Sequence, residues 1–331
     1  MSACLILLSC KEKATPIAKS QSIYFWETSF ELDSIEEHFL DHNIEKLYCR
    51  FFDIDWDKNK QIAIPIAPIS WVSRPDYYSI TPVVFIKNTV FENISADSIT
   101  ALAEHSTRLI DNLAFKGKIE IKNCQIDCDW TVGTKDKYFQ FLKAINSIRP
   151  EWELESTIRL HQIKYAENTG VPPVARGVLM YYNMGKISSD ESNSILDNEI
   201  GKQYLDKLKS YPLPLNAALP VFSWAIHIRD KSVVQLISEW DFNKLANDSI
   251  FHQINENRFV CIRSGYYSGA YLRDGDEIKL EGVNGKSLSE ASKLLSDNYP
   301  ELFREVIFFD LDSKHISELN DTFYDSFILQ E

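Results

Sequence analysis

The sequence predicts an α/β fold, a (β/α)8 TIM barrel with an inserted β-hairpin region between strands 7 and 8. Short, nearly continuous apolar runs alternate with helical patterns, which is typical of a parallel sheet covered on both faces. Seven such strands precede the insertion, and this number favours a closed barrel over an open sheet. With 331 residues, of which 44% are hydrophobic, the chain has ample material for a large core.

Helices and strands follow from apolar spacing and from capping residues. Asp33 or Ser34 can cap a first helix in which Ile35, Phe39 and Leu40 share one face. The long helix over 96–115 has an equivalent apolar stripe. The predicted strands are 22–27, 46–55, 83–88, 118–129, 157–162, 178–183, 215–224 and 305–310, and the predicted helices are 33–43, 96–115, 134–148, 193–208 and 287–298.

The seventh and eighth strands are separated by roughly sixty residues more than a minimal strand–helix unit needs. Tyr266 and Tyr267, followed by the turn Asp274-Gly275-Asp276, indicate a hairpin within 259–280. We therefore expect an insertion over about 250–285 that covers one rim of a barrel domain formed by 22–331.

The N-terminus carries a short apolar run that cannot span a bilayer. Leu7-Leu8-Ser9-Cys10 resembles the lipobox of bacterial lipoproteins, although no Lys or Arg precedes the run. The resemblance implies a signal peptide over 1–10, a lipidated Cys10 and a flexible tether over 11–21. It places the protein in the bacterial cell envelope, on the outer membrane, with membrane contact through the lipid anchor only. A frayed apolar terminus is the alternative.

Charge and residue composition argue against a nucleic-acid partner, a metal site and a disulfide framework. The formal net charge of -13 argues against nucleic acid, whose binding needs clustered Lys and Arg. The seven histidines have neither His-x-His nor His-Glu-x-x-His spacing, so we predict no metal, although carboxylates alone could hold Ca²⁺ or Mg²⁺. We also predict no cofactor. The six cysteines do not suggest a disulfide framework, and most read as small buried hydrophobes.

Polar and aromatic residues concentrate at the predicted carboxyl ends of the strands, whereas the strand bodies are apolar. In (β/α)8 barrels this rim carries the chemistry, and residues from several strands converge there. Stability alone does not require such a concentration. The strand-end residues are Trp26, Glu27, Asp53, Asp55, Trp56, Lys87, Asn88, Asp127, Asp129, Trp130, His161, Gln162, Tyr182, Asn183, Ser223, Trp224 and Asp310.

Asp127 and Asp129 fall on one face of strand 4, because successive strand side chains point to opposite faces. Such a pair belongs either to an active site or to a structural ion network, and the pattern leaves both open. The same apolar-Asp-x-Asp-Trp pattern recurs at Asp53 and Asp55 on strand 2. Arg50 would point away from these two acids unless a bulge changes the phase of the strand.

Grouped carboxylates beside Trp and Tyr suggest sugar chemistry. Glycoside hydrolysis needs one carboxylic acid to protonate the leaving oxygen and a second carboxylate as base or nucleophile. Asp127, Asp129 and Glu27 are the candidate catalytic residues. Arg159 and His161 could separate the pKa values of the acids, although a hydrogen-bonded structural role for His161 is the favoured alternative. The candidate substrate-binding residues are Asp53, Asp55, Arg159, His161, Tyr182, Asn183, Trp26, Trp130 and Trp224.

Five segments carry a family resemblance: 127–131, 158–162, 170–174, 179–185 and 218–224. Together they resemble a group of uncharacterised bacterial lipoproteins with glycosidase-like TIM barrels, a resemblance that brings no reaction with it. The end of strand 4 is also distantly similar to the Asp-x-Asp-x-Glu strand of chitinase-type family 18 glycoside hydrolases. Thr131 stands at the position of that glutamate, so the general acid implied by this similarity is absent.

Two functions are compatible with these patterns. The first is a cell-envelope glycan-processing protein, glycoside hydrolase-like, with acid/base carboxylates at the end of strand 4. The alternative is a non-catalytic glycan-binding lipoprotein on a barrel that lost the general acid. In both cases the expected ligand is a glycan or another polar small molecule.

Overall fold

A computed structural model describes residues 14–329, apart from 45, 239–244, 246–247, 268, 300, 302, 318 and 320. The predicted signal peptide and the lipidated Cys10 lie outside the described residues. Within the described part of the chain, every helix is too short or too polar to cross a bilayer.

Eight parallel strands close into a barrel, as predicted. Each strand pairs with its neighbours in chain order, and the first strand pairs with both the second and the last, which closes the ring. The order of the chain around the barrel is therefore that of a (β/α)8 fold. The barrel strands are β1 Ala18–Phe25, β2 Lys46–Asp57, β3 Ser79–Ile86, β4 Asn123–Asp127, β5 Glu153–Arg159, β6 Arg176–Met180, β7 Leu215–Pro220 and β8 Phe303–Phe309.

Helices follow most barrel strands. The α-helices are α1 Ser34–Asn43, α2 Asn88–Asn93, α3 Ile99–Gly117, α4 Lys135–Ile148, α5 Leu160–Lys164, α6 Ala166–Thr169, α7 Asn198–Lys202, α8 Gly285–Asn298, α9 Ser313–Ile316 and α10 Asp321–Asp325, and the 3₁₀ helices are Pro75–Tyr77, Ala96–Ser98 and Leu205–Ser210. Asp33 caps α1 by accepting hydrogen bonds from the backbone N–H groups of Ile35 and Glu36, as its position in the sequence predicted.

Several element boundaries differ from the sequence prediction. β1 begins at Ala18, inside the segment predicted as a tether, because Ile17 and Ala18 are buried against the barrel. β4 begins only at Asn123, since Lys118 ends α3 in the left-handed region with φ 56°. β5 ends at Arg159, so 160–162 lie in helix α5 rather than in a strand.

The predicted helix 193–208 is wrong over 193–197, which precede α7. The side chain of Asn193 accepts hydrogen bonds from the N–H groups of Ile195 and Leu196, and this local turn competes with a helix. Only the short α7 and a 3₁₀ helix follow.

The insertion between β7 and β8 contains a five-stranded antiparallel sheet. It begins at Trp224, earlier than the expected 250–285, because β7 ends at Pro220 and the chain then enters a new strand. A separate two-stranded hairpin, Gly265–Tyr267 with Ala270–Leu272, lies where the sequence predicted one. In the order in which they pair, the strands of the inserted sheet are Ser232–Ile237, Trp224–Arg229, Glu277–Glu281, Arg258–Cys261 and Phe251–Asn255.

Three shorter strands pair outside the ring of eight. Ile62–Ile66 returns antiparallel along β2 and forms a hairpin with it, and Ser29–Phe30 pairs with Ser70–Trp71. The barrel interior is aromatic and, in the amino-terminal half of the strands, also polar. There the Tyr48 hydroxyl lies 2.7 Å from Glu305 and 3.0 Å from Glu155. This network occupies the barrel below the strand ends that carry the candidate site.

Candidate functional site

Asp127 is the last residue of β4 and is almost completely buried at the carboxyl end of the barrel. Its Oδ1 accepts a hydrogen bond of 2.7 Å from the Thr157 hydroxyl on β5. The pKa of Asp127 is raised to about 6, chiefly by burial: Asp129 and Asp53 also act to raise it, whereas Arg159 and the Thr157 hydrogen bond act to lower it. A fraction of the Asp127 carboxyl is therefore protonated near neutral pH.

Asp129 lies beside it but is half exposed and paired with a cation. The Arg159 guanidinium at the end of β5 donates from Nε to Oδ1 of Asp129 at 2.5 Å and from Nη2 to Oδ2 at 3.2 Å. Burial lowers the pKa of Arg159, but the carboxylates of Asp129 and Asp127 raise it by more, so the guanidinium stays charged. The two carboxylates predicted on one strand face thus have different environments.

A pocket of about 510 Å³ opens above the carboxyl ends of β4, β5 and β6. It brings together six of the twelve candidate residues that the sequence singled out. The other six, Asp127, Glu27, Trp26, Asp53, Asp55 and Trp224, lie outside its lining. The lining residues are Asp129, Trp130, Thr131, Arg159, Leu160, His161, Met180, Tyr182, Asn183, Met184 and Tyr204.

Two aromatic residues of the pocket are held in place by contacts outside its lining. Trp130 is buried, donates from Nε1 to the carbonyl oxygen of Thr169 at 3.0 Å, and stacks on Tyr138, so most of its ring serves packing. The ring of Tyr182 stacks on Phe309 of β8 with centroids 5.3 Å apart. Burial raises the pKa of the Tyr182 hydroxyl, so Tyr182 is a neutral hydrogen-bonding group at neutral pH.

His161 lies on α5 rather than on a strand shared with Arg159, yet both side chains border the pocket. Burial lowers the pKa of His161, so the imidazole is mostly neutral at pH 7. A neutral imidazole can accept as well as donate a hydrogen bond to a polar ligand.

The second Asp pair, on β2, has separate partners. A bulge between Arg50 and Phe52 changes the phase of the strand, and Arg50 donates two hydrogen bonds to Asp53, at 2.6 Å from Nε and 2.5 Å from Nη2. Of the two alternatives for Arg50, the bulge is therefore the one found. Asp55 is paired with Lys87 at 2.5 Å, which lowers the pKa of Asp55. Neither acid lines the pocket, although Asp53 is close enough to Asp127 to raise the pKa of that carboxyl.

The remaining predicted residues lie at the other side of the rim. Trp26 packs against Phe309, and Trp224 donates from Nε1 to Glu281 in the inserted sheet at 3.0 Å. The pKa of Asp310 is raised to about 7, chiefly because the carboxyl is buried. Glu27 lies near enough to contribute to this increase.

Asp310, Thr131, Met184 and Tyr204 are site or near-site residues that were not among the candidates. Asp310 had a signal in the sequence, because it directly follows β8, and Thr131 is two residues after Asp129. Tyr204 had none, since it comes from a connection between α7 and a 3₁₀ helix whose path the sequence did not predict. Among the described residues, no group of three or more His, Cys, Asp or Glu side chains is placed to hold a metal ion.

Known proteins resemble this chain in fold and not detectably in sequence. No family model and no curated protein matches the chain. The spore cortex-lytic enzyme SleL of Bacillus cereus matches with a TM-score of 0.56 and 15% identity, over 95% of this chain and 74% of that one. A chitinase of Rhizomucor miehei matches with a TM-score of 0.54 and 8% identity, over 93% and 100%.

A third neighbour is a chitinase-like agglutinin of Robinia pseudoacacia, with a TM-score of 0.51 and 11% identity over 92% of this chain and 99% of that one. A GH18 chitinase of Cycas revoluta, seen in complex with (GlcNAc)4, matches with a TM-score of 0.52 and 9% identity over 93% and 99%. The chain has the fold of GH18 chitinases. At these identities the likeness extends to the barrel architecture and no further.

Proposed function

We propose that the protein binds a glycan in the pocket above β4, β5 and β6 without cleaving it. The observation that carries this proposal is the state of the acids there. Of the described residues that line the pocket, Asp129 alone has a carboxylate, and two hydrogen bonds tie it to Arg159. Hydrolysis of a glycosidic bond needs a carboxylic acid that protonates the leaving oxygen, and Thr131, at the position of the glutamate that serves as this acid in family 18-type hydrolases, contributes a hydroxyl instead.

The same pocket suits a sugar as a ligand. Arg159, Asn183, His161 and Tyr182 offer hydrogen-bond donors and acceptors around its wall, and Tyr204 adds an aromatic ring. A few fixed polar groups in a concave site are what gives a ligand pocket its specificity. That the fold of this chain also occurs in an agglutinin and in a chitinase seen with (GlcNAc)4 supports a glycan as the class of ligand.

A glycoside hydrolase is the second candidate, and one observation favours it. The carboxyl of Asp127 lies next to Asp129, and its pKa of about 6 keeps part of it protonated, as a general acid requires. In this alternative Asp127 would protonate the leaving oxygen and Asp129 would act as base or nucleophile. Released reducing ends that disappear in Asp127→Asn would establish this alternative in place of simple binding.

We also propose that the mature protein is anchored through a lipidated Cys10 in the bacterial cell envelope, on the outer membrane. The support is the Leu7-Leu8-Ser9-Cys10 sequence. Expression in a bacterial host with a labelled fatty acid should label the wild type and not Cys10→Ala, and only the wild type should fractionate with membranes. Equal labelling of both proteins would contradict the proposal.

Calorimetric titration tests glycan binding. A panel of glycans that includes N-acetylchitotetraose should yield at least one ligand with saturable binding. Arg159→Ala should weaken that binding about tenfold or more, because a charged hydrogen-bonding group is worth roughly 1.5–3 kcal/mol. Arg74→Ala is the matched control, since Arg74 is exposed, pairs with Asp76 and does not line the pocket. Equal affinity in both variants would remove Arg159 from the site.

A further inference from the structure

We infer that the inserted sheet positions one wall of the pocket: a buried Lys279–Glu281 pair clamps the loop after β6 that carries Asn183 and Met184. The loop covers 181–197, between β6 and α7. That this wall contacts a glycan rests on the proposed function, whereas the clamp itself does not. The inference makes the insertion part of the binding site and Glu281 a positioning residue.

Glu281 is the last residue of its strand and is buried. One carboxylate oxygen, Oε2, accepts hydrogen bonds from the Ser194 backbone N–H at 3.1 Å, from the Ser194 hydroxyl, and from Trp224 Nε1 at 3.0 Å. The other oxygen, Oε1, lies 2.7 Å from Lys279 Nζ. A buried carboxylate without such donors would be strongly unfavourable, so the site requires Ser194 to be where it is.

Lys279 holds the same loop from a second direction. Its side chain is fully buried, and Nζ donates to the backbone carbonyl oxygens of Ser192 at 2.6 Å and Ser188 at 3.3 Å. The ammonium group therefore has one carboxylate and two loop carbonyls as partners. Because a desolvated charge must be hydrogen-bonded, the cost of burying this pair is offset only when the loop is in place.

The clamped segment is connected directly to the pocket wall. The backbone N–H of Asn183 donates to the carbonyl oxygen of Ile195 at 2.8 Å, and that of Gly185 donates to Ser194 at 3.2 Å. The two arms of the loop lie close together there, since a Cβ added at Gly185 would be 3.1 Å from Ser194 Cα. A displacement of Ser194 would therefore be transmitted to Asn183 across this contact.

Asn183 has a backbone conformation that depends on this support. Its φ is 53°, in the left-handed region, which asparagine adopts more readily than most residues but at some cost. The hydrogen bond to Ile195 holds the backbone there, and the side chain, which is exposed, borders the pocket. The inserted sheet thus determines where one amide of the pocket wall is presented.

Hydrogen exchange measured by mass spectrometry on the full chain tests the inference without a ligand. Glu281→Ala and Ser194→Ala should speed exchange of backbone amides within 183–195 about tenfold or more, because each removes a hydrogen bond to a buried charge. Exchange in β4 and β5 should stay unchanged. Asp276→Ala is the matched control: it removes another buried carboxylate of the inserted sheet, one that pairs with His227 and Arg229 instead of the loop.

Gly185→Ala provides a second route if Glu281→Ala fails to fold. It changes only the loop side of the contact, and its added Cβ should speed exchange over the same segment. Unchanged exchange in 183–195 in the variants that fold, or an equal increase in Asp276→Ala, would overturn the inference.

Ligand binding separates the two proposals. With N-acetylchitotetraose as the probe, Glu281→Ala should weaken binding about tenfold, and Glu281→Gln, which keeps the acceptor for Ser194, should restore most of it. If the wild type binds no glycan but the variants exchange faster in the loop, the proposed function is refuted and the inference about the clamp still holds. Tight binding in Glu281→Ala despite faster loop exchange would refute the role of the clamp in the site.

Discussion

The buried Asp127 gives the site a cost in stability that depends on pH. Its pKa is about 6 in the folded protein, and its ordinary value is 3.8. The folded state therefore binds the proton more tightly than the unfolded state, and stability falls as the pH rises from 4 to above 6. At about 1.4 kcal/mol for each pKa unit, the ionised carboxyl costs roughly 3 kcal/mol at pH 8.

Asp127→Asn should remove this cost, because an amide of the same shape keeps an acceptor for the Thr157 hydroxyl. We expect the variant to be more stable than the wild type by roughly 3 kcal/mol at pH 8 and nearly equal to it at pH 4. Urea unfolding of both proteins across this range measures the difference. Glu155, whose pKa burial raises to about 7, titrates in both proteins, so its contribution cancels in the comparison.

Asp136→Asn controls for the loss of one negative charge, since Asp136 is exposed in the first turn of α4. The gain in stability at pH 8 that is expected of Asp127→Asn should be absent from this variant. A difference between Asp127→Asn and the wild type that is the same at pH 4 and pH 8 would refute the assigned pKa shift. A variant less stable than the wild type at pH 8 would show that ionised Asp127 stabilises the barrel.

Three further predictions concern packing and burial. Thiol reagents should leave the four described cysteines unmodified in the folded protein, because all four are buried, and a reaction without denaturant would contradict this. Lys279→Met should lower the unfolding free energy in urea by roughly 3–5 kcal/mol, because it leaves Glu281 buried and unpaired; a loss within error of zero would argue against a tight pair. Gly177→Ala should lower the unfolding free energy by roughly 1–3 kcal/mol in the same assay, since its Cβ would lie 2.8 Å from Leu215. Gly133→Ala should be tolerated, because the nearest atom to its Cβ would be 3.8 Å away. Equal stability of the two variants would contradict the packing.

The sequence predicted the barrel because its signal is local. Apolar runs such as 83–86 and 178–180 are typical of strands buried on both faces, and the number of such runs favours a closed sheet. Strand boundaries were less accurate where the backbone adopts an unusual conformation, as at Lys118, whose left-handed φ ends α3 so that β4 begins only at Asn123.

The site was predicted in part for the same reason. Arg159 ends β5, and the other four of these pocket residues lie two or three positions beyond a strand end, so their convergence at one rim follows from the fold. The four are Asp129, His161, Tyr182 and Asn183. The ion pair between Asp129 and Arg159 was not predicted, and neither was the pair between Asp55 and Lys87. Both depend on how side chains from different strands meet, which the spacing of residues along the sequence does not show. The bulge on β2 is a further case, because one extra residue reverses every later side-chain direction.

The clamp could not be predicted at all. Glu281 and Ser194 are 87 positions apart, and neither belongs to a motif. The prediction of a helix over 193–208 even placed Ser194 in the wrong kind of element. Contacts of this kind become visible only when the inserted sheet and the loop after β6 are placed together.

Prolonged incubation with a bound glycan tests most directly whether the pocket binds without cleaving. The best ligand of the panel should be incubated with excess wild-type protein at pH 5, 6 and 7, a range in which Asp127 changes protonation state, and new reducing ends should be counted. We predict that the glycan is recovered intact at every pH while binding stays saturable. Reducing ends that form in proportion to protein, and that vanish in Asp127→Asn, would contradict this prediction and identify the protein as a glycoside hydrolase.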